Sequence, residues 1–374
     1  MADAEILKRA KTLLDQLSAT PRFAGSPEEG KARAVCRAEL ERAGFSCTEL
    51  PFEYSQAPGR WGPPIAAAFQ AATVLLVGHM AVHYGALEAL VVGAVLVCAL
   101  IWASSHVKRR GIAGFPFQRA TSTNLEATRG KPVVWLVAHI DSKSQTIPIL
   151  VRIVSSVLLA IISAFALLVI LLSLVVAGVP TSVWHALAIA AVVAALPSMF
   201  CFVGNDSRGA LDNASGVVTV LMASRLAAAV ENLGVLITTG EELGLAGARA
   251  WAARATQEIM VINCDTVDDA GGWRCMYNAT KPAKVTSAAE AIAARLGFKL
   301  AIGRMIPGIL ADSMAFADRG IGSVTISRGR LSTLARIHTR RDTSSALTGS
   351  GVAEGAALLS ALAALLSALA REFG

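Results

Sequence analysis

Four stretches of the chain are almost free of charge. Residues 65–82, 153–177 and 183–203 contain no Asp, Glu, Lys or Arg, and residues 87–104 contain only Glu88. Each approaches or exceeds the roughly 18 apolar residues that read as a membrane-spanning helix. The first two are Ala-rich enough to suit buried core helices as well. The four pair into two hairpins across the short connections 83–85 and 178–182, neither of which holds a Lys or Arg. Lys108, Arg109, Arg110 and Arg152 stand at the opposite ends of the apolar runs. The positive-inside rule then predicts a multi-pass protein of the cytoplasmic membrane, with the connections outside and the rest of the chain in the cytoplasm. His79, His83 and Glu88 lie near the first connection, where snorkelling to the interface explains them. A fifth run, 355–370, is built of Ala, Leu, Ser and Gly alone. It is shorter and reads as a C-terminal core helix packed on a sheet.

Outside the hairpins remain residues 1–60, 105–150 and 204–374, together of a size ordinary for one α/β unit. Their pattern alternates. Strands are predicted at 45–52, 124–128, 132–138, 234–239, 259–263 and 323–326, and helices at 217–230 and 245–255. Strands interleaved with helices imply a mainly parallel sheet covered on both faces.

Composition refines this picture. Of 374 residues, 54% are hydrophobic and only 16% charged, against about 25% in soluble domains. The net charge is +7, from 34 Lys+Arg and 27 Asp+Glu. With basic residues at the hairpin ends, that charge suits an anionic leaflet and not nucleic acid. The six cysteines (Cys36, Cys47, Cys98, Cys201, Cys264 and Cys275) form no CxxC spacing. This argues against a thiolate metal site or a disulfide framework. The first 17 residues read as an amphipathic charged helix, and no secretory signal peptide is expected.

The polar residues that matter stand at strand ends, where functional groups of such sheets collect. The 132–138 strand runs into His139-Ile140-Asp141-Ser142. The 234–239 strand ends in Gly240-Glu241-Glu242, and the 259–263 strand ends near Asp265. Leu211-Asp212-Asn213-Ala214-Ser215-Gly216 precedes a helix, and His338-Thr339-Arg340-Arg341-Asp342-Thr343 follows the last strand. Each motif alone has an ordinary structural explanation. Together they offer imidazoles and carboxylates without thiolate, a donor set for metals such as zinc.

In this order the motifs resemble metallopeptidase family twenty-eight, which includes zinc aminopeptidases, glutamate carboxypeptidases and glutaminyl cyclases. Asp312-Ser313, Phe316 and Gly320-Ile321 also resemble a family segment. The resemblance implies a three-layer α/β peptidase domain with a mainly parallel mixed sheet, here interrupted by two transmembrane hairpins. It implies two zinc ions (other divalent metals being possible), one on His139, Glu242 and Asp212, the other on Asp265, His338 and the bridging Asp212. Asp141 would orient His139, and Glu241 would be the general base. Arg340 and Arg341 depart from the family pattern, which often has Pro after His-Thr. With Arg328 and Arg330 they read as a basic face toward lipid. One of Arg328, Arg340 or Arg341 binding a substrate carboxylate or phosphate is the sharper alternative.

About ten residues separate Asp141 from the third apolar run, and about as many lead from the fourth run to Asp212. At roughly 3.6 Å per residue such tethers reach at most about 35 Å, which suggests a site near a membrane surface. The expected activity is an aminopeptidase acting on hydrophobic or membrane-associated peptides or lipid-linked amides. Rivals are an amidohydrolase of aminoacyl lipids or N-acyl amino acids, a glutaminyl cyclase, which needs only one zinc, and a non-catalytic membrane scaffold with a relic site. A transporter is disfavoured because no charged series lies within the spans.

Overall fold

The computed structural model describes residues 2–107, 115–176, 179–256, 258–306 and 308–372. Lys108, Arg109, Arg110 and Gly178, used above to orient the hairpins, lie outside the described residues. The chain divides into two compact units.

The first unit comprises residues 1–54, 119–144 and 205–374. Its centre is an eight-stranded sheet in the order β1-β2-β6-β3-β7-β10-β8-β9. The strands are β1 (Ser46–Ser55), β2 (Arg119–Arg129), β3 (Val134–His139), β6 (Leu233–Thr238), β7 (Met260–Val267), β8 (Gly272–Tyr277), β9 (Leu300–Arg304) and β10 (Gly322–Gly329). The two-residue strands β4 (Ser144–Gln145) and β5 (Val203–Gly204) flank the second inserted segment in sequence. The pairs β3/β6, β3/β7, β7/β10 and β8/β9 are parallel, while β2/β6 and β8/β10 are antiparallel. The sheet is therefore mixed with a parallel centre, the fold class the sequence implies. Strands β8 and β9 and the helix between them were not anticipated, because 272–304 alternates too weakly to announce them.

The central strands are apolar throughout because both faces are covered. β3 (Val-Trp-Leu-Val-Ala-His) and β6 (Leu-Gly-Val-Leu-Ile-Thr) are buried at every position. Gly234 stands opposite Trp135 in the register. A Cβ there would lie 2.4 Å from the indole, so only glycine lets this ring cross the strand. Trp135 meets Trp251 edge-on at 4.6 Å, and Trp251 meets Phe316 at 5.8 Å, in a core completed by Val137, Leu236 and Val261.

Helices α1 (Ala2–Leu17) and α2 (Pro27–Arg42) precede the sheet. Those following the second insertion are α7 (Ser215–Leu226), α8 (Ala246–Ala252), α9 (Ala283–Arg295), α10 (Ser313–Ala317), α11 (Leu331–Leu334) and α12 (Ser350–Glu372). Helix α12 contains the fifth apolar run. It packs on α7, α9 and strands β3 and β7, burying Leu358, Leu359, Leu362 and Leu366. At about 1.5–3 kcal/mol per fully buried leucine, that face is a core face.

The second unit comprises residues 55–118 and 145–204. It contains α3 (Ala57–His83), α4 (Ala86–His106), α5 (Ile149–Ser173) and α6 (Thr181–Met199). Helix α3 begins at Ala57, well before the apolar run, and carries Pro63 and Pro64 within it. Ala67, Ala71 and Val74 of α3, Leu159 and Ala166 of α5, and Ala191, Ala194 and Ala195 of α6 form a shared buried seam. Small residues permit close helix approach. Ser155 Oγ donates to the Ala194 carbonyl (2.6 Å) and meets Ser198 Oγ at 2.8 Å. The opposite faces expose Val91, Val95, Ile101, Ile161, Phe165, Ile189 and Val193. Outer faces so largely apolar suit lipid better than water. All four helices, and α12, are long and apolar enough to cross a membrane by length and composition.

Candidate metal centre

The parallel register sets the candidate ligands level with one another. His139 pairs with Thr238, so the end of β3 and the Glu241-Glu242 turn just after β6 share one edge. Val137 pairs with Asn263, so His139 and Asp265 each stand two residues beyond a matched pair. Asp212 arrives from the turn before α7. A cis peptide bond joins it to Asn213, whose side chain ties the turn down. Asn213 Nδ2 donates to the Cys264 carbonyl (3.0 Å), and its Oδ1 accepts from the Gly216 and Thr266 amides (3.0 and 3.1 Å). Gly216 is required here, since a Cβ would lie 2.2 Å from Asn213 Oδ1. His338 lies in the loop after α11 with φ +61°, an uncommon left-handed backbone of the kind that collects at functional sites.

The two histidines address different oxygens of one carboxylate. His139 Nε2 lies 3.3 Å from Asp212 Oδ1, and His338 Nε2 lies 3.0 Å from Asp212 Oδ2. His139 Nε2 is also 3.8 Å from Asp265 Oδ1, while His338 Nε2 is 3.1 Å from Glu242 Oε2. Two groups of potential ligands result: His139, Asp212 and Asp265, and Asp212, Glu242 and His338. This corrects the pairing drawn from the resemblance, which placed Glu242 with His139 and Asp265 with His338. The reason is register: Asp265 stands near the end of β7, the direct neighbour of β3, while the Glu242 side chain turns toward the His338 loop. Asp212 is common to both groups.

Asp141 touches both sides of this arrangement. Its carbonyl faces His139 Nδ1 at 3.1 Å, and its carboxylate lies 3.5 Å from the same nitrogen. The carboxylate oxygens accept from the Glu241 and Glu242 amides, each at 3.3 Å. Glu241 Oε2 lies 3.9 Å from His139 Nε2. Burial pushes the Glu241 carboxyl well above the usual carboxylate range, with Glu242, Asp265 and Asp312 adding repulsion against the pull of His139. Burial alone would lower His139, but Glu241, Asp141, Asp212 and Asp265 raise it well above the ordinary imidazole value. Burial would likewise raise Glu242, but His338 and Lys143 hold it below the usual range.

The donor set fits a divalent cation. His139 Nε2 and Glu242 Oε1, one in each group, are buried among carboxylates and make no hydrogen bond, and a cation in each group would satisfy them.

Three further residues shape the site. Lys143 Nζ lies 2.8 Å from Glu242 Oε2 and donates to the Glu242 carbonyl (2.9 Å). Asp342 accepts from the Leu211 and Asp212 amides (2.6 and 3.2 Å), and burial lifts its carboxyl to about 7. Arg22 is buried and donates to the carbonyls of Leu17, Ile140, Arg208 and Gly209 at 2.6–2.9 Å. Asp342 stands inside a motif legible in the sequence, and Lys143 directly follows His-Ile-Asp-Ser, but neither drew a role there; Arg22 carries no local signal. The arginines proposed for substrate are engaged or exposed. Arg328 pairs with Glu354 (2.8 Å) and stands 5.4 Å over Trp273. Arg340 is 82% exposed and lies 3.3 Å from Asp206, and Arg341 is exposed.

The family model of peptidase family M28 matches residues 122–363. The chain belongs to peptidase family M28. This M28 chain resembles an aminopeptidase from Aneurinibacillus sp. strain AM-1 (TM-score 0.57, 15% identity, covering 96% of this chain and 95% of that one). It also resembles a zinc aminopeptidase from Bacillus subtilis (0.55, 15%, 95% and 94%) and a glutaminyl cyclase from an Acidobacteriales bacterium (0.53, 14%, 97% and 95%). At these identities the likeness is one of fold. No curated protein matches the sequence of this M28 member.

Proposed function

We propose that this metallopeptidase is a membrane-embedded di-zinc aminopeptidase that cleaves hydrophobic or membrane-associated peptides at the cytoplasmic face. The observation that carries the reading is the Asp212 carboxylate divided between His139 and His338. His139, Asp212 and Asp265 would hold one ion, and Asp212, Glu242 and His338 the other. A zinc pair held by these residues would supply Lewis-acid polarisation of the scissile carbonyl and lower the pKa of the attacking water. Glu241 takes the water proton and returns it to the departing amine. Asp141 fixes the His139 ring and, through the two glutamate amides, the turn that presents Glu241. Two neighbouring glutamates thus divide ligation from proton transfer.

The apolar outer faces of α3–α6 support membrane embedding. The connections free of Lys and Arg support a catalytic unit on the cytoplasmic side. The short tethers read from the sequence support a substrate held at the bilayer surface. The test compares release of the N-terminal residue from a soluble peptide and from the same peptide carrying an acyl anchor in lipid vesicles. The anchored peptide is expected to be cleaved faster at equal bulk concentration. Equal rates would remove the membrane-associated substrate from the account, and cleavage of neither would remove the aminopeptidase.

A further inference from the structure

Lys143 is a basic side chain in direct contact with the carboxylate cluster, and the proposed activity gives it no task. Its ammonium is held at two points on one residue, the Glu242 carboxylate (Oε2, 2.8 Å) and the Glu242 carbonyl (2.9 Å). The carbonyl contact keeps the ammonium in place even when the carboxylate is drawn toward another cation. The side chain is only 12% exposed. It springs from a segment that is itself fixed, since Ser142 Oγ accepts from the Arg22 amide (2.9 Å) and donates to the Ser207 carbonyl (3.1 Å). Lys143 is therefore a built part of the site and not a surface lysine folded inward.

This attachment makes the two ligand groups unequal. Glu242 Oε1 is buried without a hydrogen bond, while Oε2 of the same carboxylate already carries the ammonium and faces His338 Nε2. A divalent ion joining Asp212, Glu242 and His338 would share that carboxylate with a fixed positive charge, in a buried place where charges are weakly screened. In the other group, Asp265 is faced by His139 and by the Thr266 hydroxyl, which donates to Oδ1 (3.2 Å).

We infer that Lys143 is a resident counter-cation that weakens divalent-ion binding at the Asp212–Glu242–His338 position relative to the His139–Asp212–Asp265 position. It is a positioning residue, acting through Glu242, and the inference rests on the di-metal reading above. The two positions would then fill in sequence, with a one-ion form populated over a window of metal concentration. A monovalent ammonium would also keep Glu242 oriented while its position is empty.

The experiment titrates the metal-stripped full-length protein with Zn2+, and in parallel with Co2+, following calorimetry and the cobalt absorption bands. Wild type, Lys143→Met, Lys143→Gln and Lys143→Arg are compared. The wild type is expected to bind in two resolved steps. Lys143→Met and Lys143→Gln should tighten the weaker step by about tenfold or more and shift the stronger step less, while Lys143→Arg keeps the wild-type separation. Glu242→Gln should remove the weaker step. A weaker step that is unchanged or loosened in both Lys143→Met and Lys143→Gln overturns the inference, since Lys143 would then only scaffold Glu242. A wild type that takes up neither ion instead overturns the metal-centre reading beneath it.

Discussion

At the scale of single residues the site is an arrangement of oxygens. One carboxylate, Asp212, meets two imidazoles through its two oxygens, and adjacent glutamates point to different tasks. Glu241→Gln is accordingly expected to abolish peptide hydrolysis while metal content stays at the wild-type level, read by activity and elemental analysis on one sample. Loss of metal would mean that Glu241 is a ligand. The residues that converge here could be picked out in the sequence because each stands in a short polar motif beside a strand or helix. Their partnership was not, because it depends on which strands are neighbours. Asp265 belongs with His139 since β7 lies beside β3, a fact of sheet order that no motif carries. Lys143 and Arg22 were hidden for a related reason. Arg22 meets Arg208 and Gly209 across more than 180 residues of chain, and such a contact leaves no spacing to read.

At the scale of elements, the apolar patterns that announced β3, β6, β7 and β10 were strong because those strands are buried on both faces. Strands β8 and β9 lie toward one edge of the sheet; β8 has exposed positions between buried ones and β9 has no buried position, so their signal faded into the surrounding loops. Helix α12 shows how composition alone misleads. It is apolar enough to cross a membrane, yet its leucines fill the core beside β3 and β7. Its start is held by Asp269, whose Oδ1 accepts from the Gly351 amide (2.9 Å) and the Ser350 hydroxyl (3.1 Å), with the Thr348 hydroxyl on Oδ2 (2.9 Å). Burial would raise this carboxyl, but those bonds hold it below its ordinary 3.8. Asp269→Asn should therefore cost about 1 kcal/mol of stability at neutral pH, the difference between hydrogen bonds to a charged and to a neutral acceptor. An acid depressed in the folded state contributes above its unfolded pKa and loses that contribution as pH falls through the folded value. The stability gap between the two proteins should begin to narrow as pH falls below 3.8 and keep closing as the folded-state carboxyl takes up its proton, and a gap that stays constant as the pH is lowered would contradict the assignment.

At the scale of the whole molecule, two units of opposite character share one chain. The first is a mixed-sheet M28 domain whose polar residues gather at strand ends. The second is a helical bundle, closed by small residues within and apolar without. The hairpins were the plainest feature of the sequence because a run without charge is visible at any position, whereas the extent of α3 back to Ala57 was masked by Arg60 and two prolines. What joins these observations into a function is the shared Asp212. The most direct test is the zinc content of purified, zinc-loaded full-length protein with Asp212 intact and with Asp212→Asn. The account predicts about two ions per wild-type chain and loss of both in the variant. A wild type that holds none, or a variant that keeps both, would contradict it.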